Sequence, residues 1–226
     1  MKVVDNKRQR AKDKVRAACT KCKSEQKICP QCTRREQLID AMADSNIPVG
    51  YWFLPMSKFE GPPNVKKVVE LYKSEIGTNY DSGKGLCFTG QYGTGKTYSI
   101  SSILKHALIN GYSAYYTTLL DLGHYMSDFK YSDSFYHTAT RCDFLALDEI
   151  DSRHFSDSDD AQRFFGSNLE RVVRYRTQNK LPILIATNNS NLKEVFVGQY
   201  SRVLDSLIAQ SLKVVPALGK DFRKKK

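Results

Sequence analysis

Residues 90–97 have the composition and spacing of a loop that holds a polyphosphate. The segment reads Gly-Gln-Tyr-Gly-Thr-Gly-Lys-Thr; a short apolar run precedes it and a helix-compatible segment follows it. Glycine backbones can turn successive N–H groups towards phosphate oxygens, and a helix that begins here adds its own N–H groups and positive dipole end. In such a loop the lysine reaches the β- and γ-phosphates and the last hydroxyl ligates Mg²⁺. The candidate nucleotide-binding residues are Gly90, Gln91, Tyr92, Gly93, Thr94, Gly95, Lys96 and Thr97.

A second apolar run, 144–147, ends in two carboxylates, Asp148 and Glu149. Asp148 can hold Mg²⁺ through water, and Glu149 can orient and deprotonate the water that attacks the γ-phosphate. A third apolar run, 183–186, leads to Asn188, which at a strand tip can help to place that water. An asparagine there also suits a simple turn. Together with the glycine-rich loop, these residues predict a site for ATP hydrolysis.

Four of the six cysteines form two Cys-x-x-Cys pairs, separated by the spacer 23–28. Two such pairs can close a tetrahedral site, and nearby lysines and arginines would favour the thiolate form. We therefore predict a structural Zn²⁺ bound by Cys19, Cys22, Cys29 and Cys32. A redox pair and an iron–sulfur cluster are alternative interpretations. The remaining cysteines, Cys87 and Cys142, flank predicted strands and are expected to be buried.

The chain of 226 residues is long enough for one substantial core with an appendage. Its net charge of +11 is uneven, because basic residues are concentrated in residues 1–35 and 223–226. This asymmetry predicts a polyanionic partner such as nucleic acid, unless the basic arm is merely solvated. No apolar run approaches the ~20 residues that cross a bilayer, and the charged start is unlike a signal peptide, so we expect no membrane contact and a cytoplasmic location.

Strand-like and helical segments alternate from residue 85 onwards, which predicts an α/β fold with a five-stranded parallel sheet covered by helices on both faces. The predicted strands are 86–89, 113–117, 144–147, 183–186 and 212–215, and the predicted helices are 97–109, 119–128, 158–177 and 202–210. Since the carboxyl ends of parallel strands share one edge, the loop, the paired acids and Asn188 should meet there.

Upstream of the sheet the sequence divides into segments of different composition. Residues 1–18 are basic without apolar periodicity, and we expect them to be mobile or to become helical only on binding. The aromatic and proline-rich segment 47–63 should pack along the core, and Asn64 should cap a helix. The predicted organisation is a basic N-terminal module with a Cys₄ zinc knuckle at 1–46, a linker at 47–63 and an ATPase domain at 64–226.

The combined motifs resemble the AAA+ ATPases of the DnaC/IstB type, which include bacterial and phage helicase loaders. The resemblance covers about residues 45–223 and is carried by Ile47-Pro48 with the aromatic residues after it and by segments 90–97, 144–149, 187–188, 201–205 and 219–223. It implies a P-loop AAA+ (ASCE) fold, and few residues follow Tyr200, so the lid is expected to be truncated. It also implies that Asn188 is sensor 1, Arg202 an arginine finger for a neighbouring subunit's γ-phosphate, and Arg223 sensor 2. Arg202 could instead be a surface helix residue, and Arg223 could belong only to the basic tail.

The resemblance implies an ATPase that binds ATP and Mg²⁺, forms a homo-oligomer with ATP and loads a DnaB-type replicative helicase onto single-stranded DNA. An IstB-like DNA transposition regulator is one alternative. A zinc-bearing adaptor that uses nucleotide as a switch with little turnover is another. Segment 119–141 lies where related ATPases carry a helix that lines a DNA channel. Phe129, Lys130 and Tyr131 could therefore contact DNA, although such aromatic residues commonly fill a core.

Overall fold

The structure is a computed structural model that describes residues 2–25, 28–128, 130–151, 159–189, 206–207, 209–219 and 221–222. Its five strands form one wholly parallel sheet in the order β2-β3-β4-β1-β5. They are β1 Gly85–Thr89, β2 Ala114–Thr118, β3 Phe144–Asp148, β4 Ile183–Thr187 and β5 Leu212–Pro216. The predicted five-stranded parallel sheet is confirmed. Because β4 lies between β1 and β3, its tip separates the glycine-rich loop from the paired acids.

Nine helices are described in these ranges. They are α1 Lys2–Ala18, α2 Thr20–Glu25, α3 Pro30–Asp44, α4 Pro63–Ser74, α5 Ile76–Ser82, α6 Lys96–Ile109, α7 Leu119–Ser127, α8 Ser132–Arg141 and α9 Asp159–Gln178. Short helical pieces lie at 206–207 and 209–211, near the end of the helix predicted at 202–210. The sequence patterns did not predict α8, which is short and polar on its outer side. None of the described helices has the length and apolar character needed to span a membrane.

Alternate residues of the central strands face opposite layers of the molecule. Phe88 of β1 and Phe144 of β3 belong to the apolar cluster under α4 and α6, whereas Cys87 and Leu145 belong to the cluster under α7, α8 and α9. Both layers cover the sheet, and every residue of β1, β3 and β4 is buried. This explains why these strands are continuous apolar runs in the sequence. Cys87 and Cys142 are both buried, as predicted.

The expectation for residues 1–18 is wrong, because residues 2–18 form α1, which packs against α3. Ala11 of α1 is buried in the main apolar cluster. Arg8, Lys12 and Arg16 lie four residues apart, so they share one face of the helix, and each forms an ion pair with α3. Their acceptors on α3 are Asp40, Asp44 and Glu36. The periodic residues of α1 are therefore basic ones that pair with acids of α3. A search for apolar periodicity does not detect such a pattern.

The segment 47–63 packs along the core as predicted, through two 3₁₀ turns, Val49–Tyr51 and Met56–Lys58. Trp52 is buried, and its Nε1 donates to the main-chain oxygen of Ile47 at 2.7 Å. The ammonium of Lys105 on α6 donates to the main-chain oxygens of Tyr51 and Leu54, both at 2.7 Å. These bonds hold the segment against α6.

Asn64 does not cap α4, contrary to the prediction. Pro62 occupies the N-cap position, and the helix begins with Pro63, whose missing N–H suits the first turn. The side chain of Asn64 instead donates to the main-chain oxygen of Pro216 at 2.8 Å, so it ties the start of α4 to the end of β5.

Candidate active site

The glycine-rich loop connects the end of β1 to the start of α6. Gly93 has φ +77°, and a Cβ atom there would lie 1.8 Å from the Oδ1 atom of Asp221. Gly95 has φ +87° and is the N-cap residue of α6. A side chain at either position would be strained or would collide with a neighbour. The loop therefore needs glycine for its path, and it brings the N-terminus of a long helix to the sheet edge.

Lys96 is the first residue of α6 and is buried. Its Nζ atom donates to the main-chain oxygens of Gly90 and Gln91, both at 2.7 Å, so the ammonium lies across the inside of the loop. The hydroxyl of Thr94 also donates to the oxygen of Gln91, at 2.9 Å. These bonds hold the loop in shape and place a positive charge where the N–H groups of the helix start also point.

Asp148 ends β3 with only 3% of its surface exposed, and both carboxylate oxygens accept hydrogen bonds. Oδ1 accepts from the main-chain N–H of Glu149 at 2.8 Å, and Oδ2 accepts from the hydroxyl of Tyr116 at 2.8 Å. Each oxygen keeps acceptor capacity for a metal-bound water. Glu149 is exposed and has φ +54°, a left-handed conformation that is uncommon for a residue other than glycine. The two acids therefore have different surroundings: one is fixed and buried, the other is exposed at the cavity.

A cavity of about 320 Å³ contains most of the predicted catalytic groups. Its polar lining consists mainly of Lys96, Thr97, Asp148, Glu149 and Asn188. Asn188 follows β4, half-buried, at the strand tip between the loop and the acids. The volume is in the range of sites for small ligands. Among the loop residues predicted to bind nucleotide, Tyr92, Gly93 and Gly95 also line the cavity, whereas Gly90, Gln91 and Thr94 do not.

Sequence reasoning missed the aromatic part of the cavity lining. Tyr51 and Phe59 come from the segment predicted as a linker, Tyr98 from the first turns of α6, and Phe222 from the far end of the chain. The rings of Tyr51 and Phe59 each contact the ring of Tyr98, with centroids 5.9 Å and 5.3 Å apart. The aromatic richness of segment 47–63 was the available signal, but only the fold shows that it faces the loop.

The four cysteines predicted to bind zinc lie together at the junction of α1, α2 and α3. Their sulfur atoms all lie within 4.8 Å of one another, and the sulfurs of Cys19 and Cys29 are 3.8 Å apart. Two thiolates at Zn–S distances of ~2.3 Å in a tetrahedron would be about 3.8 Å apart, so the set fits one Zn²⁺ ion. A hydrogen bond from the main chain of Cys22 lowers the pKa of Cys19 to about 7, whereas burial raises the pKa of Cys32. Without metal the cluster thus favours one thiolate, and a bound metal would displace the protons of the other thiols.

Three predicted residues lie outside the described residues: Arg202, Arg223 and Phe129. Next to Phe129, the ammonium of Lys130 lies 5.1 Å from the ring centroid of Tyr131, and Tyr131 is 42% exposed. Phe135, by contrast, is buried in the core under α7 and α8. Among the described aromatic residues of segment 119–141, Phe135 lies in the core, Tyr125 and Tyr136 are partly buried against it, and Tyr131 is exposed with a cation over its ring.

No protein-family model matches the sequence, and no curated protein matches it. Solved structures share its fold. DnaI has a TM-score of 0.62 and 16% identity, over 77% of this chain and 93% of that one. The DnaC helicase loader has a TM-score of 0.56 and 20% identity, over 75% of this chain and 99% of that one. The replication initiator DnaA, bound to AMPPCP and single-stranded DNA, has a TM-score of 0.59 and 18% identity, over 75% of this chain and 50% of that one. The predicted AAA+ fold is confirmed, and at these identities the likeness concerns the fold alone.

Proposed function

We propose that this protein binds ATP with Mg²⁺ in the described cavity and hydrolyses the ATP. The observation that carries the proposal is the convergence of Lys96, Thr97, Asp148, Glu149 and Asn188 on one cavity. These residues come from two strand ends and a helix start that are distant in the sequence. A purely structural role would not require an ammonium, two carboxylates and an amide around one opening.

The loop and the start of α6 bind the phosphates. Lys96 supplies a buried positive charge, and the helix N-terminus supplies N–H donors, so negative charge is stabilised at this end. Thr97 and Asp148 would hold Mg²⁺, which neutralises phosphate charge when it is bound. The carboxylate of Asp148 is already oriented by its two hydrogen bonds and does not have to be ordered on binding.

Glu149 and Asn188 act on the attacking water. Glu149 is exposed at the cavity, so its carboxylate can accept a proton from water, whereas Asp148 is buried and held by hydrogen bonds from Tyr116 and Glu149 in an orientation suited to Mg²⁺. Asn188, at the tip of β4, can accept or donate a hydrogen bond and fix the position of the same water. The division of roles follows from the different surroundings of the two adjacent acids.

The aromatic residues that line the cavity bind the base. Tyr51, Phe59, Tyr98 and Phe222 offer flat apolar faces beside the glycine-rich loop. Base stacking on aromatic rings is worth ~1–3 kcal/mol per base. These aromatic residues favour a nucleotide as the ligand over inorganic polyphosphate, which has no base to stack.

Two substitutions test the hydrolytic site. Glu149→Gln should lower ATP turnover at least about 100-fold while binding of a fluorescent ATP analogue is retained, because only the proton acceptor is lost. Lys96→Ala should lose binding itself. Glu170→Gln, on the exposed side of α9, is the matched control and should leave both unchanged. Equal turnover in the wild type and Glu149→Gln would refute hydrolysis at this site and favour the adaptor that uses nucleotide only as a switch.

We further propose that the ATPase loads a replicative helicase onto single-stranded DNA as a homo-oligomer, with the zinc-bearing N-terminal module as the contact to the helicase. The fold shared with DnaC and DnaI supports this proposal. The roles of Arg202 as an arginine finger and Arg223 as sensor 2 remain predictions, since both lie outside the described residues. An Arg202→Ala variant that retains full turnover would contradict a finger acting between subunits.

The loading proposal is tested with the hexameric replicative helicase of the same genome and a closed circle of single-stranded DNA. The protein should increase ATP-dependent transfer of the helicase onto the circle, and Glu149→Gln should form the complex but fail to leave it. Filaments on duplex DNA without any effect on helicase loading would instead support the transposition regulator.

A further inference from the structure

Tyr116 is a residue of β2 that points towards α6 and is 7% exposed. Its neighbour in register on β3 is Ala146, two residues before Asp148. Since side chains two residues apart on adjacent strands share a face, the phenol extends along the sheet surface to Asp148. The hydroxyl donates to the Oδ2 atom of Asp148 at 2.8 Å. Tyr116 thus contacts the carboxylate that we assign to Mg²⁺.

The main chain of the same residue is bonded to the end of α3. β2 lies at the edge of the described sheet, so one side of its backbone is open to other segments. The N–H of Tyr116 donates to the main-chain oxygen of Ser45 at 2.9 Å, and its oxygen accepts from the Nδ2 atom of Asn46 at 3.0 Å. Ser45 is the C-cap residue of α3, the helix that carries Cys32.

Local conformation keeps this junction in place. Asn46 has φ +55°, a left-handed conformation in which asparagine is enriched, and it directs the amide towards β2. Its side chain is otherwise exposed. A phenol is protonated near neutral pH, so Tyr116 is the donor in its hydrogen bond to the Asp148 carboxylate.

We propose that Tyr116 is a positioning residue that orients Asp148 for Mg²⁺ and connects this carboxylate to the cysteine-bearing module. The proposal rests on the proposed nucleotide site. Displacement of the end of α3 would move the backbone of Tyr116 and thereby the donor to Asp148. The state of the N-terminal module would then change the affinity for Mg²⁺–nucleotide without any contact between the module and the nucleotide.

The first test compares Tyr116→Phe with Tyr115→Phe. Tyr115 is the adjacent residue, faces the opposite layer and contacts Phe135 there, so it controls for loss of a phenol from β2. In Tyr116→Phe the Mg²⁺ concentration for half-maximal ATP hydrolysis should rise roughly five-fold, as for loss of one hydrogen bond. Binding of ATP without Mg²⁺ and the turnover at saturating Mg²⁺ should change little. An unchanged Mg²⁺ dependence, or an equal shift in Tyr115→Phe, would overturn the proposal.

The second test examines the connection to the module. Asn46→Gly removes the amide but keeps a residue suited to φ +55°, and Cys29→Ser weakens the cysteine site. Each substitution should raise the Mg²⁺ concentration for half-maximal hydrolysis when Tyr116 is present. Each should have little further effect in Tyr116→Phe, because all three substitutions act through the Tyr116 hydroxyl. Effects that multiply independently would contradict the connection. If the wild type binds no ATP at any Mg²⁺ concentration, both the proposed function and this inference are refuted. If the wild type shows normal Mg²⁺-dependent turnover and Tyr116→Phe does not alter it, only this inference is refuted.

Discussion

The N-terminal helices and the sheet are stabilised by different interactions. Between α1 and α3 the contacts are largely ion pairs, formed by Arg8, Lys12 and Arg16 with the acids of α3, and few apolar residues are buried there. The sheet instead lies between two large apolar clusters. Partly exposed ion pairs contribute about 0.2–1 kcal/mol each, whereas burying one large apolar side chain contributes about 1.5–3 kcal/mol. A helical pair held mainly by charges therefore needs another source of stability, and the four clustered cysteines offer one.

The largest expected effect is that of metal removal on the N-terminal helices. Structural zinc sites bind with apparent free energies of about 10–16 kcal/mol at neutral pH, and this energy stabilises the fold around them. Chelation, or Cys19→Ser with Cys29→Ser, should abolish hydrogen-exchange protection in α1, α2 and the first half of α3. The sheet should stay protected, and the emission of Trp52, the single tryptophan, should be unchanged. Unaltered exchange in α1 after chelation would show that the ion pairs suffice.

The next largest effect concerns a charge buried beside the parallel sheet. Arg176 of α9 is 0% exposed and donates to main-chain oxygens at the end of α8 and the starts of β3 and β4. These acceptors are Ala139, Thr140, Cys142, Asp143 and Pro182. Arg176→Met should destabilise the core by about 3–5 kcal/mol, because each buried acceptor left without a donor costs about 1–3 kcal/mol and some will relax. The change in the free energy of unfolding is measured by urea unfolding followed through Trp52 fluorescence.

The control for that experiment is Arg174→Met on the same helix. Arg174 is exposed and pairs with Glu170 one turn away, an interaction worth about 0.3–0.5 kcal/mol. If Arg176→Met lowers the free energy of unfolding as little as Arg174→Met does, the buried arginine contributes little to the stability of the core.

A smaller effect is expected for the ion pairs themselves. Asp40→Asn removes the shared acceptor of Arg8 and Lys12 and should destabilise the α1–α3 contact by about 1 kcal/mol, less at high salt. Hydrogen exchange of α1 at low and high salt measures this change. Glu70→Gln, which breaks an exposed pair with Lys73 on α4, should have almost no effect. A loss for Asp40→Asn that salt does not reduce would argue against charge as the main contact.

The smallest predicted effect concerns Lys105, the residue of α6 that donates hydrogen bonds to segment 47–63. Burial lowers the pKa of Lys105 to about 8, below the usual ~10.4 of lysine. Because the lower pKa belongs to the folded state, unfolding takes up a proton between these values, so the contribution of Lys105 to stability rises from pH 8 to pH 10. The side chain is half-buried, so the gain should stay below ~1 kcal/mol. Urea unfolding of the wild type relative to Lys105→Met should show this increase, and a constant or falling difference would contradict it.

Many polar residues of the site could be predicted, because each lies in or directly after a short pattern that is recognisable in the sequence. Gly90 to Thr97 are consecutive, and Asp148 and Asn188 each follow an apolar run whose burial on both faces made it recognisable. The cysteine cluster was predictable for the same reason, since each pair spans one short turn. The prediction for residues 1–18 failed because the acids that order α1 lie on another helix.

The sequence by itself determined the order of strands along the chain, the glycine-rich loop and the clustered cysteines, because spacing between near neighbours carries that information. The tertiary structure decided which distant residues meet. Phe59 and Phe222 line one cavity, and Arg176 donates hydrogen bonds to main-chain oxygens of three elements. Tyr116 is hydrogen-bonded to both Ser45 and Asp148. Such contacts arise from the packing of whole elements, and no local pattern of residue types specifies which side chains will lie within a hydrogen-bond length of one another.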